Sequence, residues 1–362
     1  MRESHPSLRA LLSDAGYAFV EPAIVFDASV FVELAGEDLR RRLFLTNGAD
    51  GTEMALRPDY TIPVCLHHLA TGPAKRRAGY AYLGPVFRQR RDEPGEFLQA
   101  GIESLGRTDR VAADADVLKL ALDAAGLLGV RKPAVRIGDS ALFAALLDAL
   151  DLNLSWQRRL ARAFGDPQRL RALIARADGG GNAAGVGGAT LDRAGRTAAR
   201  KRVEALFAST GIRTIGGRTT GEIVDRVAEK TALAAGIGRR AAKVLLRFLD
   251  IAGTPAKAVR ALRALQSRAA IDIGPAVDRL EKRIAALAGH GIDPAGLSFA
   301  ADFGRRLDYY TGFVFEIHDA ARHLAQIVGG GRYDRLMALI GAGEAVPAVG
   351  FAIWLDRIGG GR

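Results

Sequence analysis

Residues 140–290 are rich in Ala, Leu and Arg at helical spacing, whereas the segments on either side carry the shorter apolar runs and alternations of strands. Nothing else in the sequence constrains the fold as much. A strand buries its apolar face only against another element. The two outer segments must therefore pair with each other across the helical stretch. The expected layout is an α+β unit in three parts: 1–139, a mainly helical insertion at 140–292, and 293–362. Breaks within the helical part fall at Gly165–Asp166–Pro167, at 179–188, at Gly216–Gly217 and near Gly253.

The first outer segment predicts a helix from Pro6 to Ala15, strands over 43–46 and 53–56 joined by the turn-rich NGADG, and a helix over 59–70. Two strands, YAYLGPVFRQ and FLQAGIESLG, flank the polar turn RRDEPGE and read as an antiparallel hairpin. An amphipathic helix is expected over 111–126 and a strand at AVRIGD. In the second outer segment, LSFAADFG, TGFVFEIH and HLAQIVGG read as strands, GRYDRLMALIG as the opening of a helix, and AVGFAIWLDRI as a strand running into a helix.

Composition removes several classes of function. No run approaches the ~20 apolar residues of a membrane span, and Arg9 and Asp14 interrupt any signal-peptide core. The single cysteine, Cys65, excludes an intrachain disulfide and a thiolate metal cluster, so a cytoplasmic location is expected. The net charge of +11 over 362 residues invites a nucleic-acid reading. The clusters Arg40 to Arg42, Arg158–Arg159, Arg193 to Arg202 and Arg239–Arg240 sit among Ala and Leu without interleaved aromatics, as arginine stems do on solvated helix faces. GGGNAAGVGG lacks the Gly-Lys-Ser/Thr ending of a phosphate loop. His67 and His68 beside Cys65 form no credible metal or nucleophile signature, so no catalytic residue, metal or cofactor is expected.

Four outer segments place polar residues in strand context. They are LRPDYTIP with Arg57 and Asp59; GPVFRQRRDEPGEFLQAGIES with Arg88, Arg90, Gln99 and Glu103; FGRRLDYYTGFVFE with paired arginines and paired tyrosines; and IVGGGRYDRL with three glycines that let backbone approach a ligand. Period-two spacing puts Gln99 and Glu103 on one face, with Gly101 between them. Each segment alone has a bland reading, such as a structural Arg57–Asp59 ion pair. Together their carboxylate, guanidinium, amide and phenol groups suit a zwitterionic small molecule.

LRPD-x-T at 56–61, FRQRRDEPGEFLQAGIES at 87–104, GRRLDYYTGFVFE at 304–316, GGGRYD at 329–334 and GFAIWLDRI at 350–358 resemble, in order, the catalytic core of histidyl-tRNA synthetase. The resemblance implies a class II synthetase-like antiparallel β-sheet flanked by helices, with a helical insertion. It places a class II dimerisation element near Pro22. It also implies a histidine pocket made of Asp59, Arg88, Gln99, Glu103, Arg305, Tyr309 and Tyr310. Within it Asp59 would hold the amino group, Arg305 would lie near the carboxylate, and Tyr310 near the imidazole.

Departures from the synthetase pattern fall in the ATP site. Arg90 stands where the family has a glutamate that helps read adenine, Trp354 where motif 3 has a glycine, and Asp356 in place of a glutamate, while Arg357 is kept. Arg306 replaces the glycine of the family's R-G-L-D-Y-Y. The chain ends five residues after Arg357, where synthetases continue into an anticodon-binding domain. These traits are similar to those of the regulatory subunits of short-form ATP phosphoribosyltransferase. That family's properties imply a non-catalytic subunit for the first step of L-histidine biosynthesis. It would bind L-histidine, mediate feedback inhibition, pair with the short catalytic subunit and self-associate as a class II-like dimer, without tRNA. The alternatives are a divergent histidyl-tRNA synthetase and an RNA-binding synthetase paralogue.

Overall fold

The computed structural model describes residues 5–34, 39–91, 93–178, 233–234, 236–304, 309–321 and 325–358. Twelve strands are named in chain order: β1 Ala18–Phe19, β2 Val25–Asp27, β3 Leu45–Asn47, β4 Glu53–Leu56, β5 Ala78–Phe87, β6 Glu96–Leu105, β7 Pro133–Asp139, β8 Ala252–Gly253, β9 Leu297–Ala300, β10 Phe313–Asp319, β11 Ala325–Arg332 and β12 Ala348–Trp354.

Nine strands form one sheet in the order β1-β5-β6-β12-β11-β10-β7-β9-β8. The pairing required of the outer segments is interleaved. β12 lies antiparallel against β6, and β7 sits between β10, antiparallel, and β9, parallel. Among the described residues only the β1–β5 and β7–β9 pairs are parallel. A separate three-stranded sheet, β2-β4-β3, is antiparallel.

Side chains alternate across the large sheet with period two. Ala100 and Ile102 of β6 and Phe351 and Ile353 of β12 enter one core, which also takes the helices Arg110–Leu127, Ser140–Ala149, Arg239–Leu249 and Gly274–Gly289. Phe97 and Leu105 of β6 and Ala348 and Trp354 of β12 face the other core, under the helix Thr61–Thr71. Tyr82 of β5 is there too, its ring stacked on that of Tyr60 at 4.4 Å between centroids. No helix among the described residues is long and apolar enough to cross a membrane.

Three local expectations need correction. The helix Arg110–Leu127 is buried on most of its circumference, Asp114 included, because it is packed between the sheet and the helix Gly274–Gly289. GRYDRLMALIG opens only a short helical stretch: Gly331 and Arg332 still belong to β11, and the chain turns helical at Leu336 and runs as a π-helix over Ala338–Ala342. The Asp334 carboxylate, which accepts from the Ala348 amide at 3.0 Å, holds that chain reversal. The strand YAYLGPVFRQ ends at Phe87, so Arg88 and Arg90 lie in the turn. There the Gln89 amide donates to the Arg42 carbonyl at 2.8 Å. The candidate phosphate-loop segment, the Arg193 to Arg202 cluster and the Gly216–Gly217 break lie outside the described residues.

Candidate functional site

β6 and β12 meet at the centre of the sheet with Glu103 opposite Gly350, Gly101 opposite Ala352, and Gln99 opposite Trp354. Parity sends Gln99 and Glu103 to the same face, as their spacing predicts, and both are 1% exposed. The glycines make this possible. A Cβ on Gly350 would overlap the Glu103 carboxyl, and a Cβ on Gly101 would overlap the Phe351 carbonyl and the Tyr82 hydroxyl.

Glu103 is a buried acid. Thr61 Oγ1 donates to its Oε1 at 2.8 Å, and the Tyr333 hydroxyl bonds to its Oε2. Burial pushes its pKa up to about 8, against the opposing pull of the Tyr333 and Thr61 hydrogen bonds. Asp59, just before the helix Thr61–Thr71, is also buried, and burial raises its carboxyl above the usual range. Arg88, whose Nη2 is 4.0 Å from Asp59 Oδ2, offsets part of that rise, as do the nearby amides of Thr61 and Ile62. Neither Asp59 oxygen accepts a full hydrogen bond, and Gln99 Oε1 has no partner either. Buried acceptors left open in this way carry a desolvation cost that a ligand's donors would relieve.

These residues line a small cavity of about 40 Å³ together with Arg88, Tyr309, Tyr310, Gly329 and Trp354. Tyr309 and Tyr310 lie 5.0 Å apart between ring centroids, and Tyr309 is 5.9 Å from Tyr333. Arg88 is braced by Nε donation to the Pro58 carbonyl at 2.6 Å. Six of the seven residues expected in the histidine pocket are thus brought together; Arg305 and its neighbour Arg306 lie outside the described residues. Thr61, Tyr333 and Gly350 were not singled out from sequence. Tyr333 had a signal in GGGRYD, because its parity opposes that of Arg332. Gly350 had one only through its register with Glu103.

The structure also places Arg57 and His68. Arg57 does not pair with Asp59; it donates to the carbonyls of Pro22 and Pro85 at 2.7 and 2.9 Å and to the Tyr60 hydroxyl at 2.6 Å, bracing the segment before β2 against β5. His68 is a satisfied core histidine, 3.0 Å from both the Tyr80 hydroxyl and the Ala74 carbonyl. Of the three glycines, Gly329 lines the cavity, whereas Gly330 makes room for the Phe315 ring and for β12.

Trp354 and Arg88 also line a second, larger cavity of about 440 Å³ with Arg42, Arg90, Phe97 and Arg357. Here the four positions that depart from or survive in the synthetase's ATP site come together. The Arg90 guanidinium lies 3.4 Å from the Phe97 ring centroid. It bonds to Glu93, and to Asp356 at 2.9 Å. Arg357 lies 5.0 Å from the Trp354 ring centroid and donates to the Gln326 carbonyl at 2.9 Å. An arginine held over an aromatic ring by two carboxylates occupies the space above that ring.

The family model described as histidyl-tRNA synthetase matches residues 1–209 and 203–358. Among solved structures, an ATP phosphoribosyltransferase regulatory subunit/histidyl-tRNA synthetase from Bacillus halodurans superposes with a TM-score of 0.64 at 21% identity, covering 97% of this chain and 76% of that one. A histidyl-tRNA synthetase from Nostoc gives a TM-score of 0.62 at 19% identity, covering 97% and 69%. Both bear out the class II synthetase-like fold. ATP phosphoribosyltransferase regulatory subunits are more similar in sequence. The one from Rhizobium rhizogenes is 42% identical over 349 residues, 94% of this chain and 92% of the relative. That from Allorhizobium ampelinum is 44% identical over 365 residues, 96% and 95%. With this identity along nearly the whole of both chains, on a histidyl-tRNA synthetase-like fold, the chain belongs to the ATP phosphoribosyltransferase regulatory subunit family.

Proposed function

We propose that the chain is a non-catalytic regulatory subunit that binds L-histidine in the Glu103 cavity and confers feedback inhibition on the short catalytic subunit of ATP phosphoribosyltransferase. The reading also has the chain self-associate through the class II dimer face near Pro22 and work in the cytoplasm, without tRNA. The observation that carries it is the contrast between two adjoining cavities. In the inner one, buried acceptors on Asp59 and Gln99 stand open for a ligand's donors. In the outer one, Arg90 is locked onto Phe97 by Asp356 and Glu93, and the Trp354 indole lines the wall.

Asp59 takes the ligand's ammonium group, an exchange of an open buried carboxylate for a charge-assisted hydrogen bond. Glu103, kept protonated near neutral pH, and Tyr333 present a donor and an acceptor to an imidazole edge, while Tyr309 and Tyr310 flank it. Arg88 and Arg305 serve the carboxylate. Arg90 over Phe97 and the Trp354 indole stand against adenine in the outer cavity, so in this reading histidine binds without being activated.

The test is co-purification with the short catalytic subunit, followed by its phosphoribosyl-transfer rate with and without histidine. The expected result is a complex whose activity exceeds that of the catalytic subunit alone and falls with histidine. A chain that neither binds nor activates that subunit would refute the reading. Histidine-dependent exchange of pyrophosphate into ATP would favour the synthetase reading instead.

A further inference from the structure

The Glu103 pocket touches one end of a buried ion network that the histidine reading does not use. Arg332 and Tyr333 are neighbours at the end of β11 with side chains on opposite faces of the sheet. Tyr333 bonds to Glu103 in the pocket. Arg332 turns to the helical side, where its Nε and Nη2 meet Asp114 Oδ1 at 2.8 and 2.6 Å. The other Asp114 oxygen accepts from Arg283 Nε at 2.8 Å, and Arg283 Nη1 reaches Asp139 Oδ2 at 2.7 Å. Asp139 is itself the N-cap of the helix Ser140–Ala149, accepting from the Ala141 amide at 2.9 Å.

All four charged residues are at most 5% exposed. Two arginines balance two aspartates, and Asp334 extends the set, accepting from Arg332 Nη1 at 2.8 Å and lying 3.1 Å from Arg110. Isolated buried ion pairs are poor stabilisers compared with apolar packing, so their presence calls for another explanation. Their geometry supplies one. Arg332 also holds the tyrosine-bearing loop: its carbonyl accepts from the Thr311 amide at 2.8 Å, and Thr311 Oγ1 accepts from the Asp334 amide at 3.0 Å. Tyr309, Tyr310 and Tyr333 thus hang from one anchored strand end. The anchor is tied through Asp114 to Arg283, on the helix Gly274–Gly289.

We propose that Arg332 is a positioning residue for the ligand pocket, and that the Arg332–Asp114–Arg283 chain couples occupancy of that pocket to the helix Gly274–Gly289. Nothing on that helix lines the pocket. Coupling requires only that the ligand favour one placement of the strand end and that the ion network carry the difference. The inference rests on histidine being the pocket's ligand, and the experiment separates the two.

Hydrogen–deuterium exchange is followed in the full chain with and without L-histidine, alongside calorimetric histidine affinity, in wild type, Arg332→Lys and Arg283→Lys. Both substitutions keep the charge and lose the fork geometry. In wild type, saturating histidine slows exchange across 274–289 by about fivefold or more, a response read from local opening equilibria. Arg332→Lys weakens histidine binding by about tenfold, the order of a lost charge-assisted hydrogen bond, and abolishes the helix response. Arg283→Lys, one link further out, abolishes the response while keeping histidine affinity within about twofold, since it touches no pocket residue. A purely structural network would lower the unfolding midpoint of both variants and leave the helix response in place; that result, or wild-type affinity in Arg332→Lys, overturns the proposal. If wild type binds no histidine, the ligand reading fails and the ligand-free arm decides. Tyr333→Phe, which cuts the bond to Glu103, then changes exchange in 274–289 in the wild-type background but not in the Arg283→Lys background. An equal change in both, or none in either, overturns the coupling.

Discussion

Replacing Glu103 by glutamine tests the electrostatics of the pocket without a ligand. The side chain is 1% exposed and bonded to Thr61 and Tyr333, and burial holds its pKa at about 8 against an ordinary 4.5. A carboxyl whose pKa is raised by folding favours the folded state fully below the unfolded value and progressively loses that contribution as pH rises towards the folded one. At about 1.36 kcal/mol per pKa unit, the separation between 4.5 and about 8 removes about 3 kcal/mol of stability by pH 7 and about 5 kcal/mol above pH 8, relative to pH below 4. Glutamine is isosteric and does not ionise, so this part of the pH dependence disappears.

The assay is urea unfolding of both proteins from pH 5 to pH 9, followed by the fluorescence of the two tryptophans. Carboxylates away from Glu103 contribute equally to both curves, so the difference between them reports Glu103 together with its neighbour Asp59, whose charge helps to raise the Glu103 pKa. The variant gains on wild type steadily up to about pH 8, and the gain then levels off. Curves that run parallel from pH 5 to 9 would mean that Glu103 ionises normally in the folded chain, and the donor role assigned to it towards imidazole would fall with that result.

Asp59→Asn removes a buried charge whose oxygens lack hydrogen bonds, so the melting temperature at pH 7 rises or holds while histidine affinity, read by calorimetry, drops by at least about tenfold. Gly350→Ala drives a methyl group into the Glu103 carboxyl and the Ile102 carbonyl; thermal melting and calorimetry should show a loss of about 1–3 kcal/mol and no measurable histidine binding. Trp354→Gly alone produces no histidine-dependent ATP–pyrophosphate exchange, because Arg90 stays fixed on Phe97 by Asp356; exchange in that single variant would show that the indole is the sole obstacle.

The parts of this structure that depend on strand parity were legible in the sequence. Gln99, Gly101 and Glu103 follow one another at intervals of two, and any strand through them puts all three on one face. The need for the two outer segments to pair was legible too, as a demand of burial. Their register was not. That Glu103 lies opposite Gly350 follows from the stacking of β6 on β12, more than 240 residues apart, and no local pattern encodes it. Arg57 misled for a similar reason: beside Asp59 in sequence it resembles an ion pair, but its partners are carbonyls contributed by Pro22 and Pro85. Arg332 and Asp114 are individually unremarkable charges, and only their burial against Arg283 gives them a role.

The same topology places the inner cavity on the sheet and the residues that differ from the synthetase motifs at its margin. Gln99, Glu103 and Gly350 stand on central strands whose opposite faces are filled by Ile102, Phe351 and Ile353, so their placement is set by the main core. The groups that hold Arg90 over Phe97 at the outer cavity, Glu93 and Asp356, come from the turn after β5 and the single helical turn after β12. Exchanging residues there alters the outer wall without shifting the register of β6 or β12, because turns absorb substitutions that a close-packed sheet does not. Trp354, at the end of β12, and Arg88, in the turn after β5, line both cavities. If the proposed reading holds, amino-acid recognition and nucleotide chemistry are separable in this fold, since the first would be built on the sheet and the second on its margins.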